Sequence, residues 1–239
     1  MAHLLAEMGW PDVAAYLEQD DRIILPTGST EQHGRHLPLG TDTFIPQELA
    51  CRLSEQVGVL VAPAVAYGMS LHHLGFPGSL SLRPETLARV VEDILRSLYR
   101  HGFRRVLVLN GHGGNVASLQ MAVVNVSTEL ADVSIRLRHW WREPLVDEVL
   151  KAAIGVAGAG HADAGETAPM LALRPDVVHL ERAQHSPDAA PVELLTELVF
   201  RQHFPHGVIG ADPRLASAEL GARMLAALTE SYVAQLNAW

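Results

Sequence analysis

The chain has a single cysteine, Cys51, so it can form no internal disulfide and its chemistry suits a reducing compartment. Its neighbours, ELACRL, read as a helix, where a lone cysteine fills space more often than it reacts. Positive charge is also scarce. With 18 Lys and Arg against 27 Asp and Glu, the net charge is −9, which argues against a nucleic-acid partner. No uncharged apolar run reaches the ~18 residues of a membrane span. The opening MAHLLAEMGWPDVAAYLEQDDR lacks the basic start and cleavage site of a signal peptide. Together these absences predict a cytoplasmic protein. At 48% hydrophobic and 19% charged residues, the composition excludes a disordered chain and supports a sizeable core.

Strands and helices alternate along the sequence. DRIILPTGS and RRVLVLNGHGGN are apolar runs that break into glycine loops, the pattern of buried strands meeting their C-terminal turns. VLVAPAVAYG and VSIRLRHWW read as further strands, the first despite its proline. The N-terminal segment, IPQELACRLSEQVG, RPETLARVVEDILRSLYRHG, VASLQMAVVNVSTELAD and LASAELGARMLAALTESYVAQL read as helices, with glycine stops after the second and third. ERAQHSPDAAPVELLTELVFRQHFPHGVIGADPR is less regular and is expected to wrap the surface. The alternation predicts one α/β domain over residues 1–239, with a mostly parallel central sheet flanked by helices. In such sheets ligands bind beyond the carboxyl ends of the strands. The two histidine-bearing glycine loops, at 28–42 and 111–115, each follow a strand and should share that edge.

What the chain has in plenty is histidine, 13 residues in all. Three glycine-bearing segments carry histidines, two of them beside acids. LPTGSTEQHGRHLPLGTDTF carries Glu31, His33, His36 and Asp42. Glu31 and His33, two apart in an extended loop, face one space, and Asp42 can close it after the PLG turn. Two carboxylates and an imidazole suit Zn²⁺ or Mn²⁺, although a hydrogen-bonded surface loop would show the same spacing. NGHGGN adds His112, with glycines that let backbone approach a ligand. It lacks the P-loop Lys-Ser/Thr and the G-x-G-x-x-G spacing of nucleotide loops, leaving a metal ligand or a structural turn. GHADAGET supplies His161, Asp163 and Glu166. Three such segments in one chain make a metal site the better reading.

These three stretches, taken in order from about residue 22 to 175, resemble the creatininase family of metal-dependent amidohydrolases. HGVIGADPRLASAELGARML echoes the family's closing pattern. LPTGSTEQHG and HHLGFPGSLSL resemble the mycofactocin-maturation peptidases of the same family at least as closely. The resemblance implies a creatininase-like fold and two divalent ions per chain, Zn²⁺ and/or Mn²⁺, with Fe²⁺ also allowed. It implies Glu31 and His112 on the first ion, His33 on the second, and Asp42 bridging both. It also implies His161 as the residue that shuttles a proton to or from the scissile nitrogen. The partners it implies are a small-molecule amide or modified-peptide substrate and further copies of the chain, as a hexamer built from dimers.

The chain departs from the creatinine-hydrolysing members at several places. Gly114 stands where they have a metal-binding glutamate, and Glu166 is expected to take over that ligand and catalytic role. Gly113 stands where they have a tyrosine, and Ala157 and Gly158 where they have a tryptophan and an acid. Three readings stay open: a hydrolase of a small cyclic amide such as creatinine, a peptidase or deformylase acting on a modified peptide or formamide, and a metal-binding protein without turnover. Ser29 and Ser70 are expected to be structural or to position substrate, since metal-activated water needs no side-chain nucleophile. His36 is expected to orient a ligand, Asp163 to accept from a histidine, and Asn115 to cap a helix. Trp140, Trp141, His72 and His73 are each open to either packing or pocket contact.

Overall fold

The computed structural model describes residues 1–156, 160–185 and 196–239. The apolar runs become β1 (Arg22–Thr27), β2 (Leu60–Val61), β3 (Arg105–Asn110) and β4 (Ser134–His139). They form one parallel sheet in the order β2-β1-β3-β4. The second strand is far shorter than its sequence suggests. Pro63 lacks the N–H that a ladder needs, and pairing resumes only as an isolated bridge between Thr27 and Val65.

The helices are α1 (Trp10–Leu17), α2 (Thr41–Val57), α3 (Pro84–His101), α4 (Val116–Glu129), α5 (Pro144–Ile154), α6 (Ala164–Leu173), α7 (Glu197–His203) and α8 (Ala218–Asn237). They cover both faces of the sheet, and the strands' two-residue period sorts the core accordingly. Ile24, Leu107 and Leu109 pack with residues of α2, α5, α6 and α8. Ile23, Leu25, Val106 and Val108 pack with residues of α3 and α4. The parallel sheet flanked by helices is the predicted class.

Three differences from the sequence reading bear on function. Helix α2 starts at Thr41, so Asp42 belongs to a helix's first turn rather than to the preceding loop. The GHADAGET segment opens α6, so Glu166 also comes from a first turn and not from a strand end. Part of the stretch expected to wrap the surface is α7, and it drives Phe200 into the interior. Among the described residues, no helix is long and apolar enough to cross a membrane.

Candidate metal centre

Register brings the loops together. Thr27 pairs with Asn110 across β1 and β3, so both strands stop at one level. Gly28 N then donates to Val65 O at 2.8 Å, and Gly111 N donates to Thr27 O at 2.8 Å. The Asp42 carbonyl presses on both glycines so closely that a Cβ at either position would overlap it. The first turn of α2 is thereby seated between the two strand-end loops. Asn110 holds the next residues, accepting from His112 N at 3.1 Å and donating to His112 O at 2.8 Å. Asn115 is a brace and not the helix cap expected. Its amide donates to Gly28 O at 2.9 Å and accepts from Met69 N at 2.9 Å.

The five predicted ligands meet in this space, all buried. Glu31 Oε2 lies 3.1 Å from His112 Nε2, and Asp42 Oδ2 lies 3.0 Å from His112 Nδ1. On its other side Asp42 Oδ1 lies 3.0 Å from His33 Nε2, which is 3.5 Å from Glu166 Oε2. Potential ligand atoms gather within 4.8 Å of one another in three sets: Glu31, Asp42 and His112; His33, His161 and Glu166; and Glu31, His73 and His161. His73 was one of the residues the sequence left undecided. Its signal was only the pair His72–His73 ahead of a Gly-Phe-Pro-Gly turn, which does not show which imidazole turns inward.

The donor set fits a divalent cation. Both Glu31 oxygens and Asp42 Oδ2 are buried with no hydrogen bond, although ring nitrogens stand 3.0–3.1 Å away. Asp42 Oδ2 and His112 Nδ1, 3.0 Å apart without hydrogen-bond alignment, stand as two lone pairs aimed at a shared point would. A buried carboxylate left so is costly unless a cation or proton neutralises it, and mixed carboxylate and imidazole donors suit zinc or manganese.

Charge is balanced by protons when no ion is bound. Burial alone would make His33 less basic, but Asp42, Glu166 and Glu31 outweigh it and push the ring up to about 10. Burial likewise lowers His112, but Glu31 and Asp42 outweigh it and raise the ring to about 9. Burial raises Glu166 to about 8 against the pull of His33. Asp42 stays well below the carboxylate range despite burial, because His33 and His112 face it. Burial, with His73 and His33 nearby, holds His161 far below its ordinary value and hence neutral.

The remaining candidates separate cleanly. His161 lies at the edge of the cluster, Nδ1 3.6 Å from Glu31 Oε1, held by a backbone exchange with Ile209 at 2.7 and 2.9 Å. The next residue, Ala162, has φ 52, an uncommon conformation for a side-chain-bearing residue. That turn sends Ala162 N to Glu166 Oε2 at 2.6 Å. Asp163 accepts from no histidine. It caps α6, taking Gly165 N at 2.8 Å and Gly160 N at 2.9 Å. His36 Nε2 meets Thr167 Oγ1 at 2.9 Å and touches no carboxylate of the cluster. Ser29 and Ser70 share a 2.5 Å hydrogen bond, and Ser70 Oγ lies 3.3 Å from His112 Nε2.

A cavity of about 300 Å³ opens onto the cluster, lined among others by His72, Gly113, Trp141, His161 and Phe200. Trp140 instead lies wholly in the core. The two glycines of the third motif play different parts. A Cβ at Gly114 would overlap the Met69 carbonyl, whereas one at Gly113 would meet nothing within 4 Å. The glutamate missing at 114 therefore has no room on this backbone. Ala157 and Gly158 lie outside the described residues.

Fold and cluster together define a hydrolase of the α/β class built around a divalent-metal site. The Creatininase family model, described as creatinine amidohydrolase, matches residues 6–236. The chain belongs to the creatininase family and is an amidohydrolase of that family, acting on carbon–nitrogen bonds. It is 33% identical over 201 residues to the creatinine amidohydrolase of Pseudomonas putida, covering 77% of each chain. It is 34% identical over 249 residues to a mycofactocin precursor peptide peptidase of Mycobacterium ulcerans, covering 99% of this chain and 92% of that one. A solved creatinine amidohydrolase superposes with a TM-score of 0.89 at 29% identity, covering 98% of this chain and 96% of the other. Similar solved creatininases include a Zn-Zn type and a manganese form, each covered at 28% identity.

Proposed function

We propose that residues 1–239 act as one binuclear metal-dependent amidohydrolase domain that cleaves a C–N amide bond. The observation that carries this is the bridging placement of Asp42, with one oxygen toward His112 and the other toward His33. Glu31, Asp42 and His112 would hold one ion, and His33, Asp42 and Glu166 the other. Two such ions supply a water acidic enough to attack at neutral pH and positive charge for the oxyanion that develops. His161, neutral and open to the cavity, gives or takes the proton at the scissile nitrogen through Nδ1. Glu166, tied to the Ala162 amide, keeps one carboxylate oxygen fixed at the cluster. Trp141 and Phe200 wall the cavity and exclude water from the reacting amide.

A small cyclic amide such as creatinine is the first substrate to test. The test is creatinine-to-creatine turnover by protein reconstituted with Mn²⁺ and Zn²⁺, with metal content measured on the same sample. Turnover that vanishes in Glu31→Ala supports the cyclic-amide reading. A sample holding two metals per chain without turnover refutes that substrate and moves the reading to a modified peptide or formamide. The bare wall at Gly113 favours this second reading, as does coverage of nearly the whole chain by the peptide peptidase. A metal-binding protein without turnover is disfavoured by the intact buried ligand set. We further propose that the chain works in the cytoplasm as a homo-oligomer, a hexamer by family resemblance. A sedimentation measurement giving a monomer would refute that assembly.

A further inference from the structure

Three ligand sets are more than a two-ion centre needs, and the residues behind them show which one is not a metal site. Gln32 is buried directly behind His73 and His161. Its Oε1 accepts from Gly34 N at 2.9 Å, which fixes the orientation of the amide. The NH₂ group then lies 3.2 Å from Gly207 O, which can only accept, and 3.0 Å from His73 Nδ1. The same amide nitrogen is 2.8 Å from His161 Nε2, which is also 2.9 Å from Gln32 O.

His161 Nε2 must donate to Gln32 O, so the two amide hydrogens serve Gly207 O and His73 Nδ1, and neutral His73 carries its proton on Nε2. That N–H stands 3.1 Å from Glu31 Oε1. The approach is bent, since Oε1 completes no aligned hydrogen bond. Even so, the N–H dipole lies against the carboxylate. A protonated nitrogen cannot ligate an ion, so the set of Glu31, His73 and His161 loses one of its three donors.

We propose that His73 is a positioning residue for Glu31, set to that task by Gln32, which fixes its tautomer. With Oε1 facing the His73 N–H, Glu31 turns Oε2 toward Asp42 and His112, where the first ion would sit. His73 packs between His161 and Phe200, with ring centroids at 4.4 and 4.5 Å, and this holds its plane in place. The proposal rests on the binuclear reading given above.

The test is zinc affinity of the full chain, measured by chelator competition, with unfolding of the metal-free proteins as a control for folding. His73→Leu and Gln32→Glu should each weaken zinc binding by about 10–100-fold, the usual cost of losing a partner that orients a ligand. His73→Gln, which places an N–H near the former Nε2, should bind within a few-fold of the parent. The double variant Gln32→Glu with His73→Leu should be no weaker than His73→Leu alone, because the two act through one contact. A parent-like affinity in His73→Leu overturns the proposal, and so do fully additive penalties. If His73→Leu does not fold, the nearly isosteric Gln32→Glu decides, and parent-like binding there overturns it. A parent protein that takes up no zinc refutes the metal centre itself, a separate failure from the one aimed at His73.

Discussion

Asp42 Oδ2 stands 3.0 Å from His112 Nδ1, so the first turn of α2 and the loop after β3 meet at a single carboxylate oxygen. Its other oxygen already faces His33. Asp42→Asn keeps the shape but removes the charge and half of the acceptor capacity. On the binuclear reading, metal content should fall below one ion per chain after gel filtration, because both ions would lose a shared ligand. Retention of two ions by that variant would contradict the bridging role.

The His161 ring is expected to transfer a proton and not to build the site. His161→Ala should lower turnover by about 10²–10⁴-fold, the usual scale for a positioned acid or base. Metal content, measured by elemental analysis of the same sample, should stay at the parent value. Loss of metal together with turnover would make His161 a ligand instead.

Stability of the metal-free protein should fall as pH rises above neutrality. His33 and His112 go from 6.5 to about 10 and about 9 in the folded chain, so between those values the folded state binds more protons than the unfolded. Glu166, raised from 4.5 to about 8, acts in the same direction over its own window. Each such proton tilts stability by about 1.4 kcal/mol per pH unit. The metal-free protein should therefore melt lower near about pH 9 than near about pH 7, and bound zinc should flatten that slope by replacing the protons. A melting temperature that climbs over this range without metal would refute the charge balance described for the cluster.

Restoring the family glutamate at position 114 should fail. Gly114→Glu places its Cβ on the Met69 carbonyl and beside His112 Nε2. Overpacking of this kind costs about 1–3 kcal/mol, and here it displaces a ligand as well. Calorimetry should show a lower melting temperature and metal analysis fewer bound ions than the parent. Gly113→Tyr adds a Cβ that meets nothing within 4 Å and should lower the melting temperature less than Gly114→Glu.

Much of this site was legible in the residues. Glu31, His33 and His112 follow apolar runs closed by glycine, and the parallel register could only bring such loops to one edge. Asp42 was legible as a member of the cluster but not as part of a helix. Gly40 and Thr41 offer no strong start signal, and Pro46 falls inside α2. Asn115 looked like a cap because it precedes a helix, yet the gap between the loops at Gly28 and Met69 drew its amide away. His73 and Gln32 were illegible for another reason. Which side of a short turn faces inward depends on the packing of α7, and α7 lies in a segment with weak periodicity.

The seating of α2 has one further consequence. Asp42 stands one turn ahead of Ile45 and two ahead of Leu49, both fully enclosed in the core, on the same helix. Asp42 therefore rides on a helix anchored in the core, while Glu31, His33 and His112 come from the buried loops it is seated between. Local breathing of α2 would then not release bound ions. Stripping them with a chelator should be slow, limited by opening events nearly as rare as global unfolding, and the amides of α2 should then exchange with solvent no faster than those of β3.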